Sequence, residues 1–249
     1  MKIYHIMLFC LVLLLPCMVV AQSKANADAA YRAGDYQKAL KYYADAQNGG
    51  TAVETYYNMG NAHFRMGNYT EAMIAYQRAL KLSPANDDIL HNIEITSNKT
   101  VDRLPVETDV FIVKWYKALV CGLPIDTWAV TALVALALSL ICYLLYLFME
   151  NVSVRRISFF SSVVLCLLFL FSVLFAYQQR SYLLTHDTGV VTVEMIGVKS
   201  SPTQKSGDAF VIHEGTSVTI ADADIKGWYS IRLSDGRQGW VPSSSIELI

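Results

Sequence analysis

Apolar positions recur at helical spacing along the first hundred residues. In two stretches, Gly34 and Gly67 are each followed by Tyr, Ala, Tyr and Ala at the same offsets, 33 positions apart. The two alanines of a stretch lie seven residues apart, on one helix face, where small side chains let another helix approach closely. A fixed period of this length predicts stacked units of two antiparallel helices, with each glycine at the break between its helices.

The second unit is the more regular of the two. We place the units at about 20–52 and 53–86, and Pro84 ends the last helix of the second unit. Residues 87–101 have helical spacing and are expected to form a helix that caps the stack. Together these segments predict an all-α repeat domain over 22–101.

These residues resemble the tetratricopeptide repeat, whose pattern runs from an aromatic through Leu-Gly and Gly-x-Tyr to Ala, an aromatic, Ala and Pro. The matching residues are Tyr56, Met59, Gly60, Gly67, Tyr69, Ala72, Tyr76, Ala79 and Pro84. The resemblance implies a concave groove, lined by the first helix of each unit, that binds a partner protein. On that pattern the groove residues are Tyr57, Asn61, Phe64, Arg65, Tyr31 and Arg32.

One subclass of the family binds the C-terminal carboxylate of a peptide. Asn61 matches the asparagine of that subclass, but Asp28 stands where a second asparagine is needed. Asp88 and Asn92 stand where basic residues are needed. We therefore do not expect carboxylate binding, and the alternatives are a general protein-binding groove or a spacer without a ligand.

Two later runs contain no charged side chain, at 127–148 and 157–177. At ~1.5 Å per residue each helix spans ~30 Å, the hydrocarbon thickness of a bilayer. Buried core helices are the alternative, but two uncharged runs leave a soluble domain no polar face. We predict a transmembrane hairpin, with a cytoplasmic loop at 149–156 that carries Arg155 and Arg156.

The first residues predict export. Residues 1–21 combine a basic start, an apolar run and small residues, as in a secretory signal peptide cleaved after Ala21. Lipidation at Cys17 is the alternative, but Pro16 stands where a small residue is needed. An exported chain with a hairpin predicts a bacterial inner-membrane protein with both soluble domains in the periplasm.

A short amphipathic segment precedes the hairpin, at 105–124. Phe111, Trp115 and Leu119 share one helix face, while two lysines point elsewhere. The segment is expected to be an interfacial helix on the membrane. The alternative is a helix packed against the repeats.

The pattern changes to short β-rich runs over 188–249, separated by Gly, Asp and Ser. We expect five strands in a small barrel, with a tight hairpin turn at Asp235-Gly236. The segment resembles the bacterial Src-homology-3 family. The matching residues are Val198, Ser201, Pro202, Phe210, His213, Glu214, Gly215, Val218, Gly227, Trp228, Asp235, Gly236, Gly239, Trp240 and Val241.

Aromatic residues of the expected barrel are candidates for a ligand face. Trp228, Tyr229 and Trp240 are placed to line a groove for a peptide or for peptidoglycan. The alternative role is to fill the core and rim of a very small barrel.

Composition narrows the function classes. The 249 residues carry 20 basic and 21 acidic side chains, a balance that argues against a nucleic-acid surface. All five cysteines lie in or beside the signal and the membrane runs, so the exported domains have no thiolate site. No histidine pair has metal-ligand spacing, and no phosphate-binding glycine loop or nucleophile motif is present. We predict no enzyme, no metal and no cofactor.

Over nearly the whole chain, the order of segments resembles the BatE-like tetratricopeptide proteins of the Bacteroides aerotolerance (Bat) group. Trp115, followed by Asp126-Thr127-Trp128 at the first span, carries the resemblance. It implies a non-enzymatic envelope scaffold beside membrane-anchored von Willebrand A-type Bat proteins and a MoxR-type ATPase, linked to oxygen or stress tolerance. The alternatives are a wall-sensing module that binds peptidoglycan and an accessory subunit that acts only through its membrane helices.

Overall fold

A computed structural model describes residues 23–47, 53–105, 110–185 and 187–249. The predicted signal peptide, residues 1–21, lies outside the described residues. The chain divides into two compact units. One combines the helical repeats with the C-terminal strands, and the other is Asp109–Thr185. The repeats and the strands, which the sequence suggested as separate domains, therefore pack together.

The first part of the chain is a stack of helices. They are α1 at residues 23–32, α2 at Tyr36–Gln47, α3 at Val53–Arg65, α4 at Tyr69–Leu82 and α5 at Asp87–Ser97. Gly34 and Gly67 lie between the helices of each pair with φ of 81° and 82°, a conformation that glycine adopts without strain. The Asn86 side chain caps α5 by accepting hydrogen bonds from two main-chain N–H groups of its first turn.

Small and aromatic residues alternate in the repeat core. Ala39, Ala72 and Ala79 are fully buried, and Tyr43 and Tyr76 fill the spaces between the helices. This is the arrangement that the period of the sequence predicts. Helical repeats at the N-terminal end of the chain are thus confirmed.

Helix α4 is buried on two sides. Five consecutive residues, Ala72 to Tyr76, are buried, whereas a helix packed on one side buries only every third or fourth residue. Helices α3 and α5 contact one side of α4, and the first C-terminal strand contacts it as well. Val190 and Ile249 accordingly belong to the same hydrophobic cluster as the repeat core.

The second unit contains three helices, α6 at Phe111–Val120, α7 at Ile125–Phe148 and α8 at Val152–Leu184. Helices α7 and α8 are long and apolar enough to cross a membrane. Residues 149–151 connect them, and α8 begins within the segment 149–156 that the sequence predicts as a cytoplasmic loop. The Asn151 side chain caps α8 early by accepting from the N–H groups of Ser153 and Val154.

The α7–α8 hairpin has small and polar residues inside and large apolar residues outside. The buried residues are Ala132, Ala135 and Ser139 on α7 and Ser158, Ser172 and Gln179 on α8. The outward Leu, Val and Phe side chains are largely exposed. A soluble hairpin has the opposite distribution, whereas helices in a bilayer pack through small residues and turn large apolar side chains to lipid.

The C-terminal residues form one antiparallel sheet of seven strands. The strands are β1 at Thr188–Val191, β2 at Met195–Lys199, β3 at Asp208–His213, β4 at Ser217–Asp222, β5 at Trp228–Arg232, β6 at Gln238–Pro242 and β7 at Ile246–Leu248. Their order is β3-β2-β6-β5-β4-β1-β7. Edge strands β3 and β7 do not pair with each other, so the sheet is not closed.

The expected five-strand barrel is therefore wrong in two respects: the strand number and the closure. Strand β2 carries Gly197 at its centre and β7 has three residues, and both features weaken the β pattern of the sequence. The core of the sheet is formed by Val191, Val198, Ile231 and Val241 together with neighbouring apolar residues.

Candidate functional site

The predicted groove residues lie on α1 and α3, the first helices of the two repeats. Arg32 and Arg65 are exposed, and the other four are half-buried. The half-buried residues are Tyr31, Tyr57, Asn61 and Phe64. The α1 and α3 side of the repeats thus presents two guanidinium groups among aromatic rings.

Stacking brings two of these residues together from different repeats. The Arg65 guanidinium lies near the Tyr31 hydroxyl, which raises the pKa of Arg65. The Tyr31 ring also packs edge-on against Tyr36, with ring centroids 5.3 Å apart. Tyr31 and Arg65 thus mark a point where the two repeats meet.

A hydrogen-bond pattern repeats along the stack. In the first unit, the Tyr43 hydroxyl donates to Asp28 Oδ1 at 2.6 Å, and Asn58 Nδ2 lies 3.5 Å from the same oxygen. Burial and the bond to Asp28 raise the pKa of Tyr43. Asp28, which the sequence analysis considered only as part of a carboxylate clamp, therefore has a structural role.

The second unit has the equivalent pattern. The Tyr76 hydroxyl donates to Asn61 Oδ1 at 2.7 Å, and Asn92 Nδ2 donates to the same oxygen at 3.1 Å. Burial raises the pKa of Tyr76. The two bonds fix the Asn61 amide with its oxygen toward the neighbouring helices. Replacement of Asn61 would therefore disturb the stack as well as any ligand.

Two other predicted groove residues make packing contacts. Tyr57 lies against Tyr76, with ring centroids 6.0 Å apart, and Phe64 packs edge-on against Tyr69 at 5.4 Å. Both belong partly to the repeat core. Arg65 and Arg32 are thus the predicted groove residues with the fewest structural duties.

A polar junction between the repeats and the sheet is not apparent from the sequence. The Asp102 carboxylate accepts hydrogen bonds from the His213 main-chain N–H at 2.6 Å and from Thr216 Oγ1 at 2.9 Å. His213 Nδ1 lies 3.1 Å from the same carboxylate. Burial raises the pKa of Asp102, but the bonds from His213 and Thr216 outweigh it and hold the pKa below its usual value.

Helix α4 makes further polar contacts with the sheet. Gln77 donates to Ser217 Oγ at 3.0 Å, and Arg78 pairs with Glu247 at 2.5 Å. Lys81 Nζ donates to the main-chain oxygen of Ile249 at 2.6 Å. The sequence gives one indication of this junction. The apolar residues from Ala72 to Tyr76 are consecutive, whereas a helix packed on a single side needs an apolar residue only at every third or fourth position.

The three predicted aromatic residues of the sheet are divided between its two faces. Trp240 lies opposite Ser230, and Trp228 lies opposite Pro242, so the two tryptophans are diagonal neighbours on one face. Tyr229 alternates to the other face and packs against the sheet core. The sheet therefore brings Trp228 and Trp240 together and separates Tyr229 from them.

Metal chemistry finds no support in the part of the chain that the structure describes. No cluster of three His, Cys, Asp or Glu side chains there is placed to hold a metal ion. His63 Nδ1 is buried without a hydrogen-bond partner among the described residues, and burial lowers the pKa of this histidine. Its surroundings are those of a core residue.

Comparison with known families matches residues 53–86 to the tetratricopeptide repeat. The matched segment contains α3 and α4, with Gly67 between them. Comparison of the chain with curated proteins gives no match. The matched repeat implies protein partners and is typical of scaffolds without catalytic activity.

Proposed function

Starting from a tetratricopeptide repeat at residues 53–86 and two helices of membrane length, we propose that this chain is a non-enzymatic scaffold of the bacterial cell envelope. The α1 and α3 side of the repeats binds a partner protein. The resemblance to the BatE-like proteins suggests membrane-anchored von Willebrand A-type proteins as partners, in a complex with a MoxR-type ATPase that contributes to aerotolerance or stress resistance.

The observation that carries this proposal is the contrast between two sides of the repeat stack. The sheet covers the second side of α4, where Met73 and Ile74 are buried. On α1 and α3, Arg32 and Arg65 stay exposed beside half-buried aromatic rings. Arginine and tyrosine are the residues most enriched where protein partners bind tightly. The groove is thus the side of the stack that remains for a partner.

The packing of the repeats against the sheet also supports a particular membrane topology. The repeats precede the hairpin in the chain and the sheet follows it, yet Asp102 and His213 contact each other across that separation. Both ends of the hairpin therefore open on the same side of a membrane. With export by residues 1–21, that side is the periplasm of the inner membrane, and Arg155 and Arg156 lie at the cytoplasmic end.

Reporter fusions test the topology. We expect alkaline phosphatase to be active when fused after Ile249 and inactive when inserted at Glu150, because phosphatase folds only outside the cytoplasm. Activity at Glu150 and none at Ile249 would invert the proposed orientation.

Co-purification tests the scaffold itself. The tagged chain is lightly cross-linked in the cells that produce it, extracted in mild detergent, and its companions are identified by mass spectrometry. We expect von Willebrand A-type membrane proteins with the wild type and their loss with Arg65→Glu. Arg180→Glu in α8 serves as the matched charge-reversal control, since it changes another exposed arginine. Equal recovery of these proteins with Arg65→Glu would exclude the groove and favour assembly through the membrane helices.

A second candidate function rests on the aromatic pair of the sheet. Trp228 and Trp240 share one face, a suitable platform for a sugar or peptide of the wall. Binding of purified peptidoglycan that is lost with Trp240→Ala and retained with Arg65→Glu would support wall sensing. Peptidoglycan binding that is insensitive to Trp240→Ala would remove this candidate.

A further inference from the structure

Helix α6 presents an unusually exposed apolar face. Phe111, Ile112 and Trp115 are 79%, 72% and 60% exposed, and Leu119 is 42% exposed, whereas Val120 is buried. Large apolar side chains clustered in this way mark a surface that another phase or molecule covers. We refer to Phe111, Ile112, Trp115 and Leu119 as the α6 apolar face.

Contacts within the second unit hold α6 beside one end of the hairpin. The Trp128 indole N–H donates to the Val120 carbonyl at 3.0 Å, and the Trp128 ring packs edge-on against Phe175. Lys117 Nζ lies 5.6 Å from the centroid of the Tyr182 ring. The end of α6 is thus fixed near the start of α7, and its middle is fixed near the end of α8.

The length of α8 indicates at which depth of a bilayer the contacts between α6 and α8 lie. Its 33 residues extend ~50 Å at ~1.5 Å per residue, well beyond the ~30 Å of hydrocarbon in a bilayer. The uncharged run of α8 ends at Tyr177, and Tyr182 lies five residues further. That distance, ~7.5 Å, places Tyr182 and the adjacent Lys117 in the headgroup layer.

The orientation of α6 agrees with this depth. Lys114 and Lys117 are partly buried, whereas the apolar face is exposed. Tryptophan and aromatic residues concentrate where hydrocarbon meets headgroups. The same boundary accommodates amphipathic helices with their apolar side toward the acyl chains. Along the chain only four residues, 121–124, separate the α6 apolar face from α7, whose outward side chains are also large and apolar.

From this continuity we infer that the α6 apolar face is a lipid-binding surface. The helix lies at the headgroup boundary on the side where the hairpin has its two open ends, and it adds a third membrane contact to the two spanning helices. The occupant is the phospholipid bilayer itself. This contact sets the depth and the tilt of the hairpin in the bilayer. It can do so because α6 is hydrogen-bonded to Trp128 of α7 and its Lys117 contacts the Tyr182 ring of α8.

Spin labelling of the full-length chain tests the inference. The protein is reconstituted in nanodiscs of phosphatidylethanolamine and phosphatidylglycerol after its native cysteines are replaced. Single cysteines at Phe111, Trp115 and Leu119 carry nitroxides. Labels at Leu168 and Gly207 provide the reference values, since Leu168 faces outward from α8 and Gly207 lies on an open turn of the sheet. Collisions with oxygen and with a water-soluble nickel chelate are measured for each label.

We expect the three α6 labels to show a ratio of oxygen to nickel collisions several-fold above that of Gly207 and approaching that of Leu168. A ratio equal to that of Gly207 would mean that the face is in water and would overturn the inference. Low collision rates with both reagents would mean that protein covers the face, which also overturns it.

A second measurement avoids labelling and guards against misfolded variants. The tryptophan fluorescence of the chain with native cysteines is recorded in nanodiscs with lipids brominated near the glycerol end. We expect the quenched amplitude to fall in Trp115→Phe, where Trp128 supplies the remainder, and to be unchanged in Trp240→Phe. Identical quenching of the wild type and Trp115→Phe would contradict lipid contact by α6.

Discussion

At the scale of single residues, one glycine allows α3 and α4 to pack closely in the repeat core. Gly60 of α3 faces Tyr76 of α4, and a Cβ at position 60 would lie 2.5 Å from the Tyr76 ring. The Tyr76 hydroxyl is bonded to Asn61, so the ring is not free to move away. The absence of one methyl group at position 60 therefore determines how closely α3 and α4 approach.

Gly60→Ala is expected to destabilise the compact unit that the repeats and the sheet form. Alanine favours the helix by about 1 kcal/mol over glycine, but forced overpacking costs about 1–3 kcal/mol or more, and a 2.5 Å contact places this site at the upper end. Thermal unfolding of the full chain in nanodiscs measures the loss. Gly207→Ala is the control, because no heavy atom lies within 4 Å of that site. An unchanged melting temperature for Gly60→Ala would contradict the packing described.

His63 gives the repeat core an acid-sensitive point. Burial lowers its pKa below the usual 6.5, while nearby Glu71 opposes this effect. The unfolded chain therefore binds a proton more readily than the folded one. The stability that neutral His63 contributes is complete above pH 6.5 and is lost as the pH falls through the lowered folded pKa.

His63→Phe removes this titration and keeps an aromatic ring at the position. We expect the melting temperature to fall less between pH 7 and pH 5 in the variant than in the wild type. The difference between the two proteins cancels the contribution of every other titrating group. Parallel curves over that interval would show that burial of His63 does not affect stability.

At the scale of elements, α4 connects the helical repeats to the C-terminal sheet, and the two form one compact unit. Its Ala72 side packs within the repeats, and its second apolar side contacts the sheet. Asp102, in the segment that follows α5, adds the polar contacts to His213 and Thr216. The sheet thus contacts the repeats through α4 and the segment that follows α5.

Asp102→Asn is expected to lower the stability of this junction by roughly 1–3 kcal/mol. The substituted amide has one acceptor oxygen where the carboxylate has two, and it carries no charge to strengthen the bonds from His213 and Thr216. The lowered pKa of Asp102 means that wild-type stability also falls as the pH drops below 3.8. Asp45→Asn, at an exposed position of α2, is the control and should change stability by less than about 0.5 kcal/mol. Equal melting temperatures for the two variants would contradict a stabilising role for Asp102.

The packing of α7 on α8 makes a sharp prediction about register. Ser139 Oγ donates to the Ser162 carbonyl at 2.9 Å and lies 3.3 Å from Ser162 Oγ. Cysteines at 139 and 162, in a chain without its native cysteines, should therefore form a disulfide rapidly under mild oxidation. Mass spectrometry detects the loss of two hydrogens. Leu140→Cys with Ser162→Cys is the matched control, and faster oxidation of that pair would contradict the register.

The sequence predicts elements wherever a local pattern has a single physical cause. Gly67 and Pro84 mark the second repeat, and absent charges mark the two helices that are long and apolar enough to cross a membrane. Helix ends were less predictable, because α8 continues past its apolar run and starts at the Asn151 cap. Strands β2 and β7 escaped prediction since a central glycine and a three-residue length leave little pattern.

The candidate site was predictable only within one repeat. The helix pattern identifies Tyr31 and Arg65 individually, but their closeness to each other depends on how the repeats stack. The structural duties of Asn61, which holds Tyr76 and Asn92, likewise come from neighbouring helices. These contacts join residues of different helices, so no single stretch of the sequence predicts them.

At the scale of the whole molecule, the chain crosses from repeats to sheet through a hairpin that is apolar outside and polar within. Repeats and sheet form one compact unit, so a partner on the α1 and α3 side and a ligand on the tryptophan face of the sheet would bind one body. The two helices of the hairpin are joined by only three residues, 149–151.

The most direct test of the scaffold is site-specific photo-cross-linking in the cells that produce the protein. A benzophenone side chain replaces Tyr57 or Arg65 in the groove, or Gln37 on α2 as an exposed control. The account predicts adducts with a von Willebrand A-type membrane protein from positions 57 and 65 and none from position 37. Adducts with that protein from position 37 alone, or none from any position while the chain is correctly inserted, would contradict a partner-binding groove.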